Sequence, residues 1–178
     1  MNEYKNKSTR DLENFFDLLW PLNRSLTGND VRKTHKLISK IIPINTKEIK
    51  SGRKVHDWTV PEEWNVRHAY IQDIDTKKKI VDFKNNNLHL LGYSTSFKGI
   101  INTKELIKNL FFIKKKPNAI PYMTSYYKKR WGMCVTFKQY QRIIKKKKYF
   151  VNIKTDFKKG SMTLSDLYIR GKIKKEIL

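Results

Sequence analysis

Four histidines, one cysteine and a thin set of carboxylates are the residues that could do chemistry in this chain, and their spacing points away from a local reaction centre. His35, His56, His68 and His89 show neither His-x-x-His nor His-Glu-x-x-His spacing, the patterns that put two imidazoles on one helix face toward a metal. His56-Asp57 is the tight His–carboxylate pair, but neighbours in a strand point to opposite faces and do not share an ion. Ser25, Ser125 and Cys134 lack a Gly-x-Ser-x-Gly elbow or an adjacent base to activate them. Cys134, between Met133 and Val135, reads as a small buried hydrophobe. The glycines are isolated, so no phosphate loop forms, and Glu62-Glu63 beside Pro61 reads as a loop.

Two segments stand above this background. Trp58-Thr59-Val60-Pro61-Glu62-Glu63-Trp64 sets two indoles around a proline turn, a corner of the core where both rings pack. Ile120–Cys134 gathers hydroxyls, aromatics and cations, the composition of a ligand-facing wall and also of packed core. Tyr126, Tyr127, Arg130 and Trp131 are the candidate substrate-facing residues there, with Arg24 and Ser25 joining them from the earlier Asn-Arg-Ser-Leu-Thr-Gly stretch.

These residues need elements to position them. Ser8 or Thr9 is expected to cap a helix with Leu12, Phe15, Phe16, Leu18 and Leu19 as its stripe, ended at Pro21. Asn29 or Asp30 is expected to cap a second helix carrying Val31, His35, Ile38 and Ile42, closed by Pro43. Strands are predicted over 44–49, 55–60, 68–74, 79–83, 88–93, 131–136 and 148–154, with later β-prone runs at 162–170 and 172–178. A helix is predicted to begin near Asn102 with Leu106, Ile107 and Leu110 buried. The flanks are thus α/β, and the middle, about 55–150, is strand-rich and dense in Trp and Tyr. The division expected is 1–54 and 151–178 as parts of one domain and 55–150 as a β-rich domain inserted into it.

Composition limits the classes. With 178 residues, 39% of them hydrophobic, the chain has material for a core. A net charge of +23, mostly lysine, predicts salt-sensitive, non-specific binding to polyanions; base-reading sites favour the arginine fork instead. The runs at 77–79, 114–116 and 145–148 read as solvated loops and strand ends. The N-terminus has no apolar signal region, no run suits a membrane span, and a single cysteine fits a reducing compartment. The expectation is a soluble cytoplasmic protein; no oligomeric state is readable.

Leu22–Gly28, Lys54–Asn65, Ile120–Cys134, Gly160-Ser-Met-Thr-Leu and Gly171–Leu178, in this order and spacing, resemble a bacterial family of zinc aminopeptidase-like proteins that carry an inserted domain of unknown function and occur near polysaccharide-biosynthesis genes. The resemblance runs from about Phe15 to Leu178. It implies an incomplete phosphorylase/hydrolase-like α/β fold, in which a zinc-activated water attacks an amide of a peptide-like or small-molecule substrate. In that family the zinc ligands and the general base follow the Glu-Ile-Leu strand, in a His-x-Cys-His-Pro-type segment and later ones. The resemblance therefore implies an N-terminal part, inactive alone, with no catalytic residue and no metal expected in this chain. The family has an aromatic where this chain has His56. Two other classes are weighed against it: a stand-alone interaction module formed by the inserted domain, and a basic nucleic-acid-binding protein.

Overall fold

The computed structural model describes residues 2–125 and 127–171, with only the backbone described for residues 2–8. The strand predicted over 172–178 and the candidate Tyr126 lie outside the described residues. The architecture is mixed α/β.

Helix α1 (Asn2–Leu19) begins well before Ser8 or Thr9. Phe15 and Leu19, four apart, are its half-buried positions, whereas Leu12, Phe16 and Leu18 of the expected stripe are exposed. Helix α2 (Asn29–Ile38) is capped by Gly28 and not by the side chain of Asn29 or Asp30. The Asp30 carboxylate instead accepts a hydrogen bond from the Asn23 amide at 3.0 Å. Val31 and Thr34 form the buried side of α2.

Strand β1 (Asn45–Lys50) leads through the short hairpin β2 (Lys54–Val55) and β3 (Trp58–Thr59) into β4 (Glu63–Asp73). That strand starts five residues before the predicted His68 and pairs with β5 (Lys79–Asp82). The run 88–93 is not a strand: a 3-10 turn spans Asn87–His89, and Leu90 and Gly92 make single bridges to Met133 and Thr124. Its residues are apolar because they are buried, not because they pair along a ladder. Strand β6 (Phe97–Asn102), which carries no clear alternation signal, runs straight into α3 (Thr103–Ile107), which starts where predicted and is capped by the Asn102 side chain. Leu110 falls beyond that helix, on β7 (Leu110–Phe111), which pairs in parallel with β8 (Met133–Cys134). Helix α4 (Phe137–Ile143) follows, held by a Thr136/Gln139 capping box. The last two strands among the described residues are β9 (Lys148–Lys158) and β10 (Ser161–Asp166).

Two sheets organise the molecule. One is antiparallel and four-stranded in the order β5-β4-β9-β6; the other is a ribbon of β1 and β10. In β9 the buried residues Tyr149, Val151, Ile153 and Thr155 alternate with less buried ones, the period-two pattern of a sheet with one face on a core. That face meets Ala69, Ile71 and Val81 from β4 and β5, with Leu106, Met133, Val135 and Ile143 from the covering segments. No helix among the described residues is long and apolar enough to cross a membrane.

Candidate functional site

The loop Leu22–Gly28 is seated on the first residues of β4, and Thr27 is its anchor. The buried Thr27 hydroxyl donates to the Glu62 carbonyl (3.1 Å), accepts from the Trp64 amide (3.2 Å) and lies 2.7 Å from the Tyr93 hydroxyl. One proton already engaged leaves Tyr93 as the donor in the last pair. Gly28 sits at φ 110 with the Trp64 carbonyl where a Cβ would be, so a side chain there would both strain the backbone and collide. The Asn29 amide then donates to the Asn65 side chain at 2.8 Å.

Trp64 is 2% exposed. Its indole stacks on Tyr93 (centroids 5.4 Å apart, planes 16° apart) and donates to the Ser94 carbonyl at 3.0 Å. The proline turn is thus a corner of the core for Trp64, while Trp58 is half-buried. Glu63, expected in a loop, is instead the first residue of β4 and is buried. Its carboxylate forms an ion pair with Arg32 of α2 and accepts from the Ser161 amide of β10 at 2.8 Å. The Arg32 guanidinium, helped by the Ser161 amide and Lys158, holds the Glu63 carboxyl below its usual range. Gly160 fits because a Cβ there would overlap the Glu63 side chain. This node joins α2, β4 and β10.

Two clefts flank the seated loop, sharing Asn23 and Trp64. One, of about 250 Å³, is lined by Trp20, Arg24, Ser25, Asn87, Leu90 and Tyr122 among others. The other, of about 290 Å³, is polar, with Asp30, Lys33, Asn65, Arg67, Asp156 and Lys158 in its wall. The structure therefore brings Arg24 and Ser25 together in one cleft and adds Tyr122. It does not bring Arg130 and Trp131 there. Trp131 is half-buried and stacked on Phe97 of β6 at 4.2 Å, and the exposed Arg130 lies over the Phe111 ring at 4.9 Å. Tyr127 is exposed. The expected wall is thus split between a cleft and the packing of β6 and β7. Neither cleft sets a hydroxyl or thiol beside an imidazole, so what they can do is hold a ligand by stacking, amide and guanidinium contacts.

The histidines are dispersed. His35 Nδ1 meets the Ser165 hydroxyl, and His89 Nδ1 lies 2.8 Å from the Cys134 carbonyl. Burial pushes the pKa of His89 down and that of the Cys134 thiol up to about 12, which keeps the imidazole neutral and the thiol inert. His56 is an exposed turn residue at φ 55, and His68 Nε2 is buried with no hydrogen-bond partner. Among the described residues no three His, Cys, Asp or Glu side chains converge as a metal would need. The described residues do not fit a zinc site.

Residues 63–156 match the family described as a domain of unknown function (DUF2172), and the chain belongs to that family. The whole chain is 40% identical, over 181 aligned residues, to a Clostridium acetobutylicum protein provisionally named as a polysaccharide biosynthesis protein with an aminopeptidase-like domain. It spans 41% of that relative's length. A crystal structure from Clostridium acetobutylicum, provisionally named as a peptidase, superposes on 97% of this chain with a TM-score of 0.86 at 39% identity. There too, the match takes in 41% of the longer chain.

The seating of Thr27 and the Arg32–Glu63–Ser161 node were not readable as contacts in the sequence, because their members stand 31 to 129 residues apart. The available signal was Gly28 and Gly160, each inside a motif that carries the family resemblance.

Proposed function

We propose that this chain is part of a zinc aminopeptidase-like hydrolase, contributing substrate-facing surface and framework while the zinc ligands and general base lie in segments the relatives carry beyond the match. The observation that carries this reading is 40% identity along the full chain to a relative named for an aminopeptidase-like domain. The backbone match to a crystal structure named as a peptidase, at a TM-score of 0.86, supports it. In this reading the two flanks belong to a phosphorylase/hydrolase-like fold and the β-rich part is inserted into it, with the return expected at 151 moved past Lys158 because β9 (Lys148–Lys158) is an inner strand of the four-stranded sheet. The substrate is a peptide-like or amide small molecule, and the working compartment is the cytoplasm.

The chain's own residues do three things in that scheme. Arg24 and Ser25 present a cation and a hydroxyl at the mouth of the 250 Å³ cleft, where Tyr122 and Trp20 offer stacking faces. Thr27 and Gly28 fix the loop that carries them on Trp64. The Glu63 node fixes α2 and β10 to the same strand. None of these groups acts on a reacting bond.

The test joins residues 1–178 to the part of the clostridial relative that lies outside the match, and assays aminoacyl amides with this chain alone and with the joined polypeptide. The expected result is background rates for the chain alone and hydrolysis by the joined form, with Arg24→Ala raising KM more than it lowers kcat. Hydrolysis by the chain alone, or a folded, zinc-loaded joined form that cleaves no aminoacyl amide, would overturn the reading.

A further inference from the structure

The β1–β10 ribbon is fastened at one end and bare at the other. At the fastened end the Ser51 amide donates to the Gly160 carbonyl at 2.9 Å, and Glu63 grips Ser161 and Arg32. One face of the ribbon meets α2 through polar groups, Ser165 against His35 and Glu48 against Arg32 at 3.5 Å, while Thr163 donates across the ribbon to Glu48 at 2.6 Å. By alternation Ile49, Met162 and Leu164 turn to the opposite face, which they share with the Lys47–Asp166 ion pair at 3.1 Å. At the far end, where Asn45 pairs with Asp166, the turn that carries Ile41 and Ile42 leads from α2 into β1, and Leu167, Tyr168 and Ile169 follow β10. Ile41 is 63% exposed, Tyr168 81% and Ile169 79%, and Leu164 is 48% exposed. Among the described residues neither strand pairs with a third.

Single exposed apolar side chains are ordinary, but several at one end of a short, open-edged ribbon are not. A lone two-stranded pair is marginal in water, and its free edges offer rows of unpaired amides and carbonyls. We propose that this end and open face of the ribbon are a docking surface for the aminopeptidase-like portion of the polypeptide. The inference rests on the preceding functional reading. The occupant is argued from length: the chain spans only 41% of a relative and of a solved structure that it matches almost end to end. A covalently attached occupant needs little intrinsic affinity, since tethering supplies a high effective concentration.

The first test is superposition on the clostridial crystal structure. Positions matching Ile41, Leu164, Tyr168 and Ile169 should be covered there by residues from outside the matched segment; exposed equivalents would overturn the inference. The second is amide hydrogen exchange over 45–50 and 161–166, in this chain alone and in the joined polypeptide described above. The expected result is at least tenfold slower exchange in the joined form, abolished by Leu164→Lys with Tyr168→Lys, while the same double variant leaves thermal unfolding of the chain alone unchanged. Equal exchange in both forms would contradict it. So would a double variant that unfolds the chain alone, or a ribbon already protected in a dimer of this chain. A joined form that hydrolyses substrate with its ribbon unprotected defeats the docking surface alone; a protected ribbon without hydrolysis defeats the functional reading alone.

Discussion

The four-stranded sheet and the two-stranded ribbon are both antiparallel, and both begin within a few residues of the Glu63 node, yet they spend their side chains differently. Of the buried hydrophobic residues, all but Val31 and Val60 fall between Trp64 and Ile153, in the sheet and the segments that cover it. The ribbon meets α2 through Arg32 against Glu48 and His35 against Ser165, and sets Leu164 outward while Ile49 and Met162 are half-buried. The sheet region therefore stabilises itself by apolar burial, and the ribbon borrows its rigidity from an ionic joint. A short ribbon with Thr163 as its one buried residue, and with exposed Leu164, Tyr168 and Ile169 toward one end, offers apolar surface for a partner to cover.

The largest effect that can break this contrast is Trp64→Ala. Loss of a fully buried indole from the sheet core should cost about 3–5 kcal/mol and shift thermal unfolding of the whole chain by circular dichroism. A cost below about 1 kcal/mol would mean that the corner is not core. Glu63→Gln comes next. It removes the nearer of Arg32's two carboxylate partners, but Glu48 remains at 3.5 Å and Arg32 is partly exposed, so about 2 kcal/mol is expected. The effect should fall unevenly, with hydrogen exchange rising in 161–166 more than in 148–158. Uniform loosening of both sheets would erase the distinction between them.

A smaller effect is set by protons. His89 has its pKa lowered by burial, so the unfolded chain takes up a proton that the folded chain resists. Stability from this group is complete above the ordinary imidazole value of 6.5 and falls as pH drops from there toward the lowered folded value. Glu63 and Asp73, both held below the usual carboxylate range, act lower: their stabilisation is present above about 4 and is lost as pH falls through the folded values, about 2 for Asp73. Denaturant melts between pH 7 and 5 should show a decline that His89→Gln removes. A decline unchanged in that variant would assign it elsewhere.

Much of the sheet was legible because period-two burial writes itself into the sequence. The alternation in 148–154 found β9, and Asn102 found the start of α3. Strand β6 escaped because Phe-Lys-Gly-Ile-Ile-Asn places a glycine and a turn former where a strand signal should be. Helix α4 did carry a sign in Thr136-x-x-Gln139, but seven residues gave too short a period to weigh against neighbouring aromatics. Residues 88–93 looked like a strand because burial alone also produces an apolar run, and Tyr93 at φ 60 cannot continue one. The cleft was partly legible: Arg24 and Ser25 meet, but Trp131 was drawn to Phe97 by a strand that the sequence did not announce.

The most direct measurement is metal analysis of the 178-residue chain after zinc loading and dialysis, beside the joined polypeptide treated in the same way. His35, His56, His68 and His89 do not converge, and fewer than three protein ligands do not retain zinc. Well under one zinc for each chain is expected in the 178-residue protein, and stoichiometric zinc in the joined form. One tightly held zinc per chain in the 178-residue protein would contradict it.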